Sequence, residues 1–371
     1  MSRRRADLLL ISCLSAAATL AGAANGAPAA NIPLGRLLSG ADAVVVANVT
    51  GSVSAGVSVS IALSVVRTLK GDVAPGMSIA AAWTPAASQL PAAGPPGGQT
   101  GIWFLGLSSA GWVVLPVATG AVPAGGTYIP AASAGPPAGF AYAASAPPAA
   151  KLAWELGAAA QDPSNASALA WLLSSGAADD LGSSALSPVW NQLSSSVAPA
   201  VRATGLAGQV RTGSPAALAA LASSDPTTFD SMSVGYLAAA ICRYSGGDAG
   251  GISSLGALAR STYGGRVPLC AAHALRSVHS GDAVRELVPL LDSPAQRLQY
   301  EAVAGIASFA NGLPVATPAN IRNMSFLAVP SSAMSASPDT MQNFPTLREF
   351  LRQPQAYISF WKNWLVTHPL E

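Results

Sequence analysis

The hydrophobic period of this chain changes once, near residue 150, and that change limits what it can fold into. Before it, Val57, Val59, Ile61, Leu63 and Val65 alternate with Ser58, Ser60, Ala62, Ser64 and Val66. A period of two puts the first set on one face of a pleated strand and the second on the other. After it, apolar residues recur at three- and four-residue spacing, broken by Gly, Pro, Ser and Asp, the pattern of short amphipathic helices. The 371 residues leave room for a β domain followed by an α domain at roughly 100–200 residues each.

Within the β region, Ala43-Val44-Val45-Val46-Ala47-Asn48-Val49 is a short continuous apolar run, as in a buried strand. Residues 77–83, 101–107 and 112–118 read as further strands. Lys70-Gly71-Asp72, Pro75-Gly76 and residues 109–111 are turn sequences, the last closing a hairpin. Five or six short strands without intervening helices predict a small antiparallel barrel or sandwich over residues 32–120.

From residue 73 to residue 150 there is no Asp, Glu, Lys or Arg. Residues 121–150 hold 12 Ala, 6 Pro and 4 Gly, the composition of an extended linker. Charged residues are 10% of the chain, against about 25% in an average soluble protein. That excludes a charged disordered tail. A net charge of +2 without a clustered basic face gives no footing for nucleic acid.

Candidate helices are 164–175, 186–196, 199–211, 215–223, 231–244, 251–261, 267–280, 282–291 and 294–310. Ser164 and Asp282 are expected as N-caps, with Gly281 and Gly312 after helix ends. Leu206, Ile241, Leu275 and Ile306 lie in similar Ala- and Gly-rich contexts, 35, 34 and 31 residues apart. Two helices per period of that length predict an α-solenoid over residues 151–316, with an irregular bundle as the alternative. Residues 317–371 form a C-terminal extension.

Leu290-Leu291-Asp292-Ser293-Pro294 followed by Ala302-x-Ala304-x-Ile306 resembles a HEAT repeat, with Leu298-Gln299 where the family has Val-Arg. The resemblance covers roughly residues 185–312 and implies an interaction scaffold. Ala41-Asp42 before the first apolar run, with Val65-Val66-Arg67-Thr68-Leu69-Lys70-Gly71, is similar to bacterial exported domains of the netrin-like, metalloproteinase-inhibitor-like type, implying an OB-like barrel. Those inhibitors chelate protease zinc through an N-terminal Cys. Residues 24–241 contain no Cys, so inhibition does not carry over. The fold class expected is therefore multidomain β plus α: a small antiparallel β-barrel, OB-like, followed by an α-solenoid of HEAT-like helical repeats.

Arg3, Arg4 and Arg5 precede an apolar run over residues 8–23, and small residues follow at Ala21, Ala23 and Gly26. This is the pattern of a secretory signal peptide over residues 1–26, cut after Ala23 or Gly26. An uncleaved anchor is the alternative, but the run is short against the ~20 residues needed to span a bilayer. Leu10-Ile11-Ser12-Cys13 resembles a lipobox, but too few apolar residues precede Cys13 for lipid anchoring to be expected. The expected location is periplasmic or extracellular, with no integral membrane span after cleavage.

Export makes Cys242 and Cys270 a candidate disulfide. The repeat register puts Cys242 near the end of one helix and Cys270 near the start of the next equivalent one, and if these stack level an offset of about six residues separates them by ~9 Å. A bridge needs Cα atoms within about 7 Å, so that register favours two buried thiols. Tyr357, Phe360, Trp361 and Trp364 share one face of a C-terminal helix. They are expected to form a capping helix that closes the solenoid, the alternative being an interaction ridge for a partner.

No chemistry-bearing motif stands out. His273 and His279 are six residues apart, off one helix face, and HExxH is absent. Residues 106–111 and 251–256 each miss GxSxG by one residue, and neither GxxxxGK[ST] nor GxGxxG occurs. Asp179-Asp180 has no evident partner carboxylate. Asn48, Asn165 and Asn323 begin glycosylation sequons. No catalytic, cofactor-binding or metal residue is assigned. The expected function is that of a non-enzymatic exported binding or scaffold protein with a protein partner. An exported hydrolase with dispersed catalytic residues and a structural envelope protein are the alternatives.

Overall fold

The structure, a computed structural model, describes residues 33–55, 58–83, 98–115, 128–130, 141–163, 165, 178–244, 246–312 and 337–370. The expected signal peptide, Cys13, nearly all of the expected helix 164–175 and Asn323 lie outside them. The chain divides into two compact units: Gly40–Pro130, which holds the strands, and Asn31–Ser39 with Ala131–Glu371, which holds the helices.

The strand unit is a closed five-stranded barrel with a sixth strand added. β1 (Ala43–Ala55), β2 (Ser58–Lys70), β3 (Ser78–Trp83), β4 (Thr100–Ser108), β5 (Gly111–Val114) and β6 (Tyr128–Pro130) run in the order β1-β2-β3-β5-β4, and β4 returns to pair with β1. The alternation works as the period requires over residues 59–65. Val59, Ile61, Leu63 and Val65 point into the core, where they meet Val45, Ile79, Trp103, Leu105 and Val114. The rings of Trp83 and Trp103 pack edge to face with centroids 6.3 Å apart.

The barrel departs from the expected plan in three ways. It is not wholly antiparallel, because β3 and β5 pair in parallel, Ala81 with Trp112 and Ala82 with Val113. The expected linker at 121–150 is interrupted. Residues 128–130 pair with residues 101–103 on the side of β4 opposite β1, so β6 resumes the line of β5. Finally, helix α1 (Leu34–Gly40), expected with the barrel, belongs up to Ser39 with the helical unit.

The start of β1 is fastened to its neighbours through a few polar contacts. The Asp42 carboxylate accepts from the Leu107 N–H at 2.7 Å, and Lys70 Nζ donates to the Ala41 carbonyl at 2.6 Å. Gly71 holds φ +86°, and a side chain there would press on the Asp42 carbonyl.

The helical unit continues with α2 (Pro148–Ala160), α3 (Ser183–Ser194), α4 (Pro199–Arg211), α5 (Pro215–Ala222), α6 (Ser231–Ile241), α7 (Ala249–Ala259), α8 (Val267–Val278), α9 (Gly281–Leu287) and α10 (Gln296–Ala310). Local signals start these short helices. Ser214, Asp230, Asp248 and Ser280 each accept the backbone N–H three residues on. Pro199 and Pro215 occupy first positions, where a missing N–H costs nothing.

The helices pack in an alternating fashion. α4 packs on α6, α6 on α8 and α8 on α10, while α5 packs on α7 and α7 on α9. Leu206, Ile241, Leu275 and Ile306 fall on α4, α6, α8 and α10 in turn, and all four are buried. α3 lies against α4 at very short range. A side chain at Gly205 would overlap the backbone of Ser194, and one at Gly208 the ring of Trp190.

The end of α8 corrects two cap assignments. Gly281 does not follow the helix; it opens α9, and Ser280 rather than Asp282 caps that helix. The left-handed position that ends α8 is held by His279, at φ 56° and ψ 50°. At the end of α10, Gly312 has φ +59°, as a glycine stop does.

The unit ends with α11 (Pro338–Gln342), α12 (Leu347–Phe350) and α13 (Pro354–Thr367). α13 lies against α10. Among the described residues no helix is long and apolar enough to cross a membrane.

Candidate functional site

The two cysteines are joined. Cys242 and Cys270 form a disulfide with their Cα atoms 4.4 Å apart, across 28 positions of sequence. Cys242 ends α6 and Cys270 sits in the first turn of α8, as expected, so it is the level stacking of the two helices that fails. The end of one helix meets the start of the other. Tyr244, two residues on, is buried, and its hydroxyl donates to Asp248 at 3.1 Å. Burial pushes that phenol up to about 12, helped by the neighbouring Asp248.

The aromatic face of α13 is mostly used in packing. Trp361 is 0% exposed and Tyr357 9%, so neither is offered to a partner. The Trp361 indole N–H donates to the Asn343 carbonyl at 2.8 Å, and Tyr357 packs beside Phe350, which in turn meets Tyr300 of α10. Phe360 and Trp364 are half-buried. Trp364 stacks flat on His368, with ring centroids 4.5 Å apart. Of the four residues of the alternative ridge, only these two keep exposed surface.

A polar cluster that sequence reading missed joins α8 to α10. Glu301 Oε2 is 3.4 Å from His273 Nδ1 and 3.4 Å from Arg276 Nη1, and the Glu301 side chain is 12% exposed. Arg276 also lies over the Tyr300 ring, 6.0 Å from its centroid. Burial opposes the charge on Glu301. The hydrogen bond from His273 and the Arg276 guanidinium outweigh it and hold the carboxyl below the usual range. The signal available in sequence was the i, i+3 spacing of His273 and Arg276, which puts both on one helix face. Their partner required the register between two helices.

The other candidates have structural roles here. His279 Nε2 is 3.0 Å from the Ser308 carbonyl, so that ring nitrogen donates to backbone and faces no serine hydroxyl. Asp179 pairs with Arg211, and Asp180 accepts from the Arg36 N–H at 3.2 Å, which ties α1 to the helical unit. Asn48 lies within β1 and its side chain accepts from the Thr100 hydroxyl at 2.6 Å. Among the described residues, no three His, Cys, Asp or Glu side chains gather closely enough to hold a metal ion.

Comparison of the chain with protein-family models, with curated proteins and with solved structures returns no match.

Proposed function

We propose that this chain is an exported, non-enzymatic interaction protein in which a HEAT-like α-solenoid binds a protein partner in the cell envelope or exterior, beside an OB-like barrel. The observation that carries the reading is the alternating packing, α4-α6-α8-α10 in one file and α5-α7-α9 in another. Elements that touch only their near neighbours build long, repetitive surfaces, and such surfaces serve recognition more often than chemistry. The closed five-stranded barrel with its single parallel pair supports an OB-like reading, and OB barrels bind ligands on a strand face. The disulfide and the signal-like residues 1–26 both suit an oxidising compartment.

The discriminating experiment is crosslinking in the native cells, followed by mass spectrometry of the captured neighbours. One dominant envelope or secreted protein, lost when charges are placed on the exposed face of the α5-α7-α9 file or of the α4-α6-α8-α10 file, is the expected result. Recovery of the chain in the cytoplasm with Cys242 and Cys270 reduced would overturn export. Capture of no protein neighbour would overturn the scaffold reading.

A further inference from the structure

The disulfide joins two unlike settings. Cys242 ends α6 and is half-buried, and Arg243, next in the chain, is exposed. Cys270 lies in the first turn of α8 and is 3% exposed. Opening a disulfide by exchange needs access to one sulfur and a good leaving group at the other. Access is offered at Cys242.

The leaving group is favoured at Cys270. Its N–H bonds to the Arg266 carbonyl at 2.8 Å, so the residue belongs to the opening turn of a 12-residue helix, and no acidic residue shares that turn. A helix N-terminus carries roughly half a positive charge. A thiol placed there gives up its proton more easily. Arg266, which is exposed, adds a full positive charge at the same end. Cys242 has the opposite setting, because the C-terminal end of α6 disfavours negative charge. The sulfur that a reactant can reach is thus the one that stays bonded, and the buried sulfur is the one that leaves. A staple enclosed at both ends would offer no such direction.

We propose that the Cys242–Cys270 bond is a site of thiol–disulfide exchange, opened in the folded protein by a dithiol that attacks Cys242. One thiolate of the dithiol bonds to Cys242 Sγ while the bond to Cys270 Sγ breaks. The electron pair leaves on Cys270, which takes up a proton from water. The second thiol of the reductant, as its thiolate, then attacks its own partner's sulfur in the mixed disulfide and releases Cys242, which is protonated in turn. The dithiol is oxidised by two electrons to a disulfide, and the cysteine pair is reduced by two. α6 and α8 lose their covalent link and keep their packing contact. The proposal does not rest on the function proposed above.

The test uses the oxidised protein purified from its cells. Dithiothreitol is added at neutral pH, and samples are quenched with N-ethylmaleimide and weighed by mass spectrometry. The rate should double with each doubling of dithiothreitol and stay unchanged in urea well below the unfolding transition. A rate that climbs from the first addition of urea, or that ignores the dithiothreitol concentration, overturns the proposal, because the bond would then open only through unfolding. Glutathione, a monothiol, leaves the mixed disulfide in place and so locates the attack. The quenched intermediate should carry glutathione on Cys242 and N-ethylmaleimide on Cys270. The reverse placement, or an equal mixture of the two, overturns the proposal as well.

Discussion

In the barrel, Trp103 sits fully buried among Ile61, Leu63 and Leu105, and large side chains fill the space between strands. In the helical unit α3 and α4 come close where there is no side chain at all, Gly205 and Gly208 against Ser194 and Trp190. The same apolar half of the composition is thus used in two ways. Branched and aromatic residues suit a pleated, alternating surface. Ala and Gly let short helices come close, but each contact buries little, and the unit adds a disulfide and a buried ion cluster to its packing. The barrel should therefore respond most to loss of volume, and the helical unit to gain of volume and to loss of its cross-links.

The largest effect expected is from Trp103→Ala, which removes the biggest buried side chain of the barrel and should cost about 4 kcal/mol. Hydrogen exchange locates the damage. Protection should fall in β1–β5 and hold in α4–α10. A common loss in both units would show that the two cores are one cooperative system.

Replacing both Cys242 and Cys270 by Ala frees a 28-residue separation in the unfolded chain and should cost ~3.5 kcal/mol on the loop-entropy account. The loss should appear in denaturant unfolding of the helical unit and leave barrel protection unchanged. An unchanged midpoint would mean that α6 and α8 hold each other without the bond.

The glycines give the sharpest contrast between neighbouring positions. Gly205→Ala drives a methyl into backbone and should cost about 2 kcal/mol. Gly235→Ala, in the middle of α6 with nothing within 4 Å of the new carbon, should instead stabilise by about 0.5 kcal/mol. Equal effects at the two sites would remove close approach as the reason for Gly205.

These contrasts follow what was and was not legible in the sequence. The strands of the barrel were legible because period two is a local property, and Ile61 and Leu63 declare it within ten residues. The parallel closure of β3 on β5 was not, because strand neighbours depend on contacts far apart in sequence. β6 was hidden because Tyr128–Pro130 is three residues in a Pro- and Ala-rich setting. Leu206, Ile241, Leu275 and Ile306 were legible as equivalent positions, since each marks the buried side of its helix. The disulfide was misjudged for a single reason. Equivalent positions were assumed to stack level, whereas α6 and α8 meet end to start. The ridge on α13 was a correct helix face, but a face pattern does not say whether the chain itself covers it, and Trp361 is covered.

The smallest effect concerns the Glu301 carboxylate, which lies against both His273 and Arg276, and it shows in a slope rather than in a midpoint. Glu301 is held below the ordinary carboxyl range in the folded protein, so its contribution is fully present above the unfolded value near 4.5. That contribution is lost as pH falls through the lower folded value, because the unfolded chain then binds the proton first. Glu301→Gln removes the titrating group and keeps an acceptor for His273 and Arg276. The variant should be weaker by about 1 kcal/mol near neutrality. From pH 5 downward its stability should fall less steeply than that of the natural protein, so that the two curves converge in acid. The natural slope is steeper because Glu301 is the group that takes up the proton on unfolding. Curves that stay parallel from pH 7 to pH 3 would show that the carboxylate is not held by α8, and that Arg276 is satisfied by Tyr300 alone.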